Sequence, residues 1–181
     1  MSEKRISGAE ERLIDFITGQ AFIDTDDERI RQKIERLLIE KKAYSKNDIV
    51  VDREFEIILG DEINRSKVDL VVSIEGKRFM IIKCARGSLV SREREVLSCA
   101  RILDVYIIPF AVVTNGQDAE VLDAISGEVI GSGLEAIPPK PKALEALRQI
   151  EFKRLSEERV EKEKRIFLAF DAFKCPSECD Y

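Results

Sequence analysis

Two hydrophobic periods alternate along the chain, and the switches between them mark its elements. Ile30, Ile34, Leu37 and Leu38 recur at helical spacing, which predicts an amphipathic helix over 26–42 with one buried stripe. The cluster Asp24-Thr25-Asp26-Asp27 ahead of it supplies a capping residue and first-turn acids. A shorter helical pattern, Leu13, Ile14, Phe16 and Ile17, predicts a helix over 9–18. From residue 49 the period drops to two: Ile49, Val51, Phe55, Ile57 and Leu59 alternate with polar neighbours, broken only at Arg53, as in a half-buried strand. The polar stretch 60–66 reads as a loop, and 68–74 and 78–84 read as two strands joined at Glu75-Gly76-Lys77. Val96, Leu97, Ala100 and Leu103 place a helix over 91–103, the apolar run 105–114 reads as a buried strand, and 119–124 with 128–130 as a second hairpin. After Pro138-Pro139-Lys140-Pro141, Leu144 to Phe170 form a charged helical tail reaching about residue 173.

This order predicts an α/β fold whose mixed sheet combines an antiparallel meander with a further buried strand, flanked by helices. Three parts follow: an N-terminal helical extension over 1–21, a central domain over 22–137, and a C-terminal helical tail over 138–181.

Composition narrows the chemistry. With 181 residues, 44% of them hydrophobic and 36% charged, the chain has the balance of a globular protein. No run approaches the roughly 18 apolar residues of a membrane span, and the expected location is the cytoplasm. The absence of histidine removes the Ser-His-Asp triad, the imidazole base and every His-containing zinc site. Catalysis would have to run on carboxylates, lysines, thiols or an oxygen-held metal. The net charge of -5 argues against bulk electrostatic binding of nucleic acid but leaves room for a local basic strip. Cys84 and Cys99 stand alone in apolar segments, while Cys175 and Cys179 form a C-x3-C. Free thiols in a reducing compartment fit this spacing better than a zinc half-site.

Two charges intrude where apolar residues belong. Asp69 interrupts Val68-Asp-Leu-Val-Val, and Lys83 interrupts Met80-Ile-Ile-Lys-Cys. If the connecting loop is the three residues 75–77, paired positions sum to 74 + 78 = 152 and Asp69 faces Lys83; a two-residue loop would put them on opposite faces. A buried ion pair is one reading of this juxtaposition. The other is a phosphodiesterase site, in which an aspartate holds Mg²⁺ and a lysine orients or deprotonates the attacking water.

The ordered set Thr25-Asp-Asp-Glu-Arg-Ile-Arg-Gln32, Val68-Asp-Leu, Ile81-Ile-Lys83 and Val112-Val-Thr-Asn-Gly116 resembles the N-terminal nuclease domain of type I restriction enzyme R subunits, in the PD-(D/E)xK superfamily. The resemblance implies a restriction-endonuclease-like fold. It makes Asp69 and Glu28 the metal ligands, with Mg²⁺ as the cofactor, and Lys83 the catalytic lysine. Where the family carries the acid of its acid-x-Lys motif this chain has Ile81, and the glutamine usual on the next helix is Glu95. Glu95 or Glu93 could supply a migrated carboxylate. Arg86, Arg92 and Arg94 cluster nearby in sequence as candidate DNA contacts. The implied function is a DNA-binding, Mg²⁺-dependent nuclease, the alternative being a catalytically degenerate module for nucleic-acid binding or assembly. The implied partners are DNA, a second copy, a helicase or a restriction-modification subunit, with no membrane.

Overall fold

The computed structural model describes residues 11–171. In chain order its elements are β1 (Arg12–Ile14), β2 (Ala21–Ile23), α1 (Asp26–Arg36), β3 (Ile49–Leu59), β4 (Glu62–Ile74), β5 (Lys77–Cys84), α2 (Val90–Ile102), β6 (Phe110–Thr114), β7 (Ala119–Asp123), β8 (Val129–Ser132), α3 (Lys140–Leu147) and α4 (Glu157–Asp171). Strands β3 to β8 form one mixed sheet in sequential order, antiparallel except for the parallel β5 and β6 pair. That parallel pair is joined through α2, as a crossover requires.

Alternation along β5 divides the core between the two faces of the sheet. Met80, Ile82 and Cys84 pack with Ile34 and Leu38, while Ile81 joins Val71, Val96, Ala100 and Phe167. One layer therefore lies under α1 and the other under α2 and α4. The expected meander and buried strand are present, as are the helix at 26 and the hairpin after 119. The side chain of Thr25 caps α1 by accepting the Glu28 N–H at 3.1 Å. Thr25→Ala is expected to cost about 1 kcal/mol, read as a small drop in Tm.

Several expectations are corrected. The helix predicted over 9–18 is the hairpin of β1 and β2 within the described residues. The Asp15 carboxylate accepts the Ile17 and Thr18 N–H groups, a local alternative that competes with a helix. The loop predicted over 60–66 is mostly strand: only Gly60 and Asp61 turn, and Ile58 pairs with Ile63. Polarity misled here because most of these side chains reach solvent while the backbone stays in the ladder. The strand predicted from 105 begins at Phe110; Val105 is exposed, and Pro109 has no N–H for a ladder. The tail is two helices, α3 and α4, separated by residues 148–156. Cys175 and Cys179 lie outside the described residues.

Candidate active site

The turn between β4 and β5 has two residues, Glu75 and Gly76, both at positive φ (50° and 76°), the geometry of a tight hairpin. Ile74 pairs with Lys77, the odd-sum register that would separate Asp69 from Lys83. A bulge between Val72 and Ser73 then inserts one residue on β5, and from Val72↔Met80 to Leu70↔Ile82 the pairs sum to 152. The loop length expected from sequence is wrong, yet the bulge restores the register that sets Asp69 beside Lys83.

The meeting is direct. Lys83 Nζ lies 3.5 Å from Asp69 Oδ2 and 3.9 Å from Glu95 Oε1, so β4, β5 and α2 each contribute one charged side chain to a common centre. Asp69 Oδ2 also accepts the Cys84 N–H at 2.7 Å, which fixes the carboxylate at the end of the β4 and β5 ladder. Glu95 is 1% exposed and accepts from Arg92 at 3.1 Å. Burial pulls the Lys83 ammonium down, but Asp69 and Glu95 more than offset it and leave its pKa above the ordinary value. Lys83 is therefore a cation at neutral pH, suited to holding negative charge rather than to taking a proton.

Glu93 takes another direction. It faces Glu120 of β7, whose carboxyl is raised first by burial and then by this neighbour. Two residues along α2 turn the side chain by about 200°, and tertiary packing selects Glu95 for the centre. Ile81 is fully buried, opposite Val71 and Ala111.

Two cavities flank the pair. One, of about 350 Å³, is lined by Asp27, Lys83, Cys84, Ala85, Arg86 and Arg92, three cations against one acid. Arg86 is 65% exposed at its mouth and bridges to Asp27 at 3.0 Å and Asp26 at 3.6 Å. The other, of about 290 Å³, is walled by Phe22 and Ile23 and takes in Glu28, Arg31, Asp52, Lys67 and Asp69. Glu28 reaches this second cavity with its carboxylate already engaged: Arg31 donates to it at 2.5 Å and Gln32 at 2.9 Å. Arg94 is turned away from both cavities toward Glu163 on α4, at 2.9 Å.

Mg²⁺ is commonly held by one or two carboxylates, with water and substrate phosphate completing its shell. Asp69 and Glu95 are hard oxygen donors of that kind. No cluster of three Cys, Asp or Glu groups placed to hold a metal occurs among the described residues, so a cation here would rely on water and phosphate for its remaining ligands.

Two groups of buried charge carried weaker sequence signals. Glu28, Arg31, Gln32 and Glu35 lie beside the apolar stripe of α1 at spacings of three and four, and all four are buried. Glu163 falls in the 157–164 run, which reads as surface pairing, yet it is 1% exposed beneath Arg94, Arg101 and Ser98.

The family model described as type I restriction enzyme R protein N terminus (HSDR_N) matches residues 26–138. No curated protein and no solved structure matches the chain. No helix among the described residues is long and apolar enough to cross a membrane.

Proposed function

This chain belongs to the type I restriction enzyme R protein N-terminal family, and we propose that it acts on the phosphodiester backbone of DNA at the centre of Asp69, Lys83 and Glu95. One observation carries the reading: Lys83 Nζ stands 3.5 Å from Asp69 and 3.9 Å from Glu95, on the wall of a cavity that Arg86 and Arg92 also line. A backbone phosphate fits that cavity by charge. Arg86, exposed and bridged to Asp26 and Asp27, can exchange those partners for phosphate oxygens.

Lys83 stabilises the charge that builds on the phosphate oxygens as the nucleophile adds. Asp69 and Glu95 would hold Mg²⁺, which when bound polarises the phosphate and acidifies a coordinated water. The Cys84 N–H orients Asp69, and Arg92 positions Glu95. We place the activity in the cytoplasm, in a restriction-modification setting with a helicase or methyltransferase as partner.

Plasmid nicking with Mg²⁺ or Mn²⁺ tests the reading. The wild type is expected to nick, and Lys83→Ala and Glu95→Gln to lose about 100-fold or more, while Glu93→Gln stays near wild type. Absence of metal-dependent cleavage in the wild type would overturn the enzyme reading.

A second reading is favoured by Ile81, fully buried where the resemblance places an acid, and by the Arg92 partner of Glu95. A DNA-binding module without cleavage retains duplex DNA with an affinity that falls steeply as salt rises. Anisotropy titrations with labelled duplex over a salt series separate it from a chain that does not bind DNA.

A further inference from the structure

The seat of the N-terminal hairpin is built from charges that do not balance as ionised groups. Asp15, directly after β1, is 2% exposed. Its Oδ1 accepts Ile17 N–H at 3.1 Å, Thr18 N–H at 2.6 Å and the Thr18 hydroxyl at 2.7 Å. Its other oxygen turns inward, 3.3 Å from Arg31. Arg31 also meets Glu28 at 2.5 Å, Glu35 at 3.6 Å and Asp52 at 3.9 Å. Lys67 of β4 compensates Asp52 at 3.1 Å, and Cys84 of β5 faces the group as a thiol kept neutral by burial. Four acids thus stand against two cations.

The excess concentrates at one contact. Asp15 Oδ2 and Glu35 Oε1 converge on the one Arg31 guanidinium, 3.3 Å and 3.6 Å from it, with Glu35 fully buried. Among the described residues no hydrogen-bond donor reaches either oxygen of Glu35 or Oδ2 of Asp15. Two carboxyls sharing such a site hold together when one keeps its proton and repel when both are ionised. What the contact secures is the hairpin of β1 and β2, whose Phe22 ring also lies under the Arg31 guanidinium at 4.6 Å. Phe22 and Ile23 wall the cavity onto which Asp69 and Glu28 face.

We propose that this hairpin is a proton-latched cover over the cavity beside Asp69: one proton shared between Asp15 and Glu35 seats it on α1, and loss of that proton sets two buried anions against each other and releases it. That release exposes a nuclease centre rests on the function proposed above; the latch itself does not.

Burial first, and the Asp15 carboxylate second, lift Glu35 from 4.5 to about 8 in the seated form. Once the hairpin leaves, its ordinary value returns. The seated form therefore holds the extra proton across the interval between those values, so seating is firmest near the lower one and weakens as pH rises. The limit is about tenfold per pH unit, levelling off above the upper value. Asp15 is itself held below its ordinary value, its hydrogen bonds and Arg31 outweighing burial, and so contributes only at the acid end.

Amide hydrogen exchange of the full chain, corrected for intrinsic rates, reads the latch. Protection of residues 12–23 is expected to fall by about thirtyfold or more from mildly acidic to mildly alkaline pH, with β5 and β6 keeping theirs. Glu35→Gln, which carries a permanent donor, should flatten the profile. Should that variant fail to fold, Asp15→Asn removes the like charge and should flatten it by the other route. A pH-independent hairpin in the wild type, an unchanged slope in the variants, or a parallel loss in β5 and β6 would each overturn the proposal. The readout needs neither DNA nor metal, so a failed nicking assay leaves it standing, and a failed latch leaves the nicking assay to decide its own question.

Discussion

Glu163→Ala is expected to destabilise the chain by about 3–5 kcal/mol, the range for removing one partner of a buried charge pair, and to lower Tm by on the order of 10 °C at this length. Glu163 sits on α4 at 1% exposure. It accepts from Arg94 at 2.9 Å, the Ser98 hydroxyl at 2.9 Å and Arg101 at 2.9 Å. Arg101 is itself buried, with further bonds at 2.8 Å to the Ala124 carbonyl and 3.4 Å to the Ile125 carbonyl. Truncation leaves the buried Arg101 guanidinium without its counter-ion, at the seam where α4 covers α2. The helix that loses its cover is the one that carries Glu95.

The pH dependence has a definite sign. Burial pushes the Glu163 carboxyl up, but Ser98, Arg94 and Arg101 outweigh it, and its pKa is lowered from 4.5. A depressed carboxylate contributes stability above its ordinary pKa and loses it as pH falls through the folded value. Thermal melts should show the gap between wild type and Glu163→Ala wide at neutral pH and narrowed in acid. Equal Tm values at neutral pH would show that this carboxylate does not anchor α4.

Ile81→Glu is the other substitution with a large expected effect. Ile81 is fully buried between Val71 and Ala111, in the layer that includes Val96 and Ala100, and a carboxylate there is expected to cost about 3 kcal/mol in chelator. The position shares its face with Lys83, two residues on. A divalent cation drawn by the new carboxylate together with Asp69 would return part of that loss, since a ligand bound only by the folded form stabilises it. Melts in chelator and in millimolar Mg²⁺ or Mn²⁺ measure both terms. The variant should gain more from the metal than the wild type does. Identical metal responses would show that residue 81 does not occupy the acid position of an acid-x-Lys strand.

Which elements exist was largely legible, because period and capping act within a few residues: the helix opened by Thr25, the alternation from Ile49, and the apolar positions of α2 all appear where local pattern places them. The errors fall where polarity and backbone pairing part company. Residues 62–67 are polar except for Ile63 and still strand, held by the ladder to β3. Residues 13–17 have a helical period and are not helix, because Asp15 and Thr18 close a turn on themselves.

The chain's order by itself determined that Asp69 and Lys83 are charges inside apolar strands; that Ile81 takes the place of an acid is what the family resemblance implies. The intrusion of the two charges is a property of neighbours along a strand, and alternation reveals it without coordinates. It could not determine how they meet: a two-residue turn alone would separate the pair, and the bulge that cancels it becomes visible only once β4 and β5 are paired. Nor could it choose Glu95 over Glu93, or take Glu163 and Glu35 out of solvent. Whether a carboxylate is a surface charge, a partner of Lys83 or a proton holder depends on what distant segments bring to it. Asp15 lies 20 residues from Glu35, and Ser98 lies 65 from Glu163. Burial multiplies the energy of such encounters, so only the tertiary structure decided which of these groups leave solvent and what each of them meets.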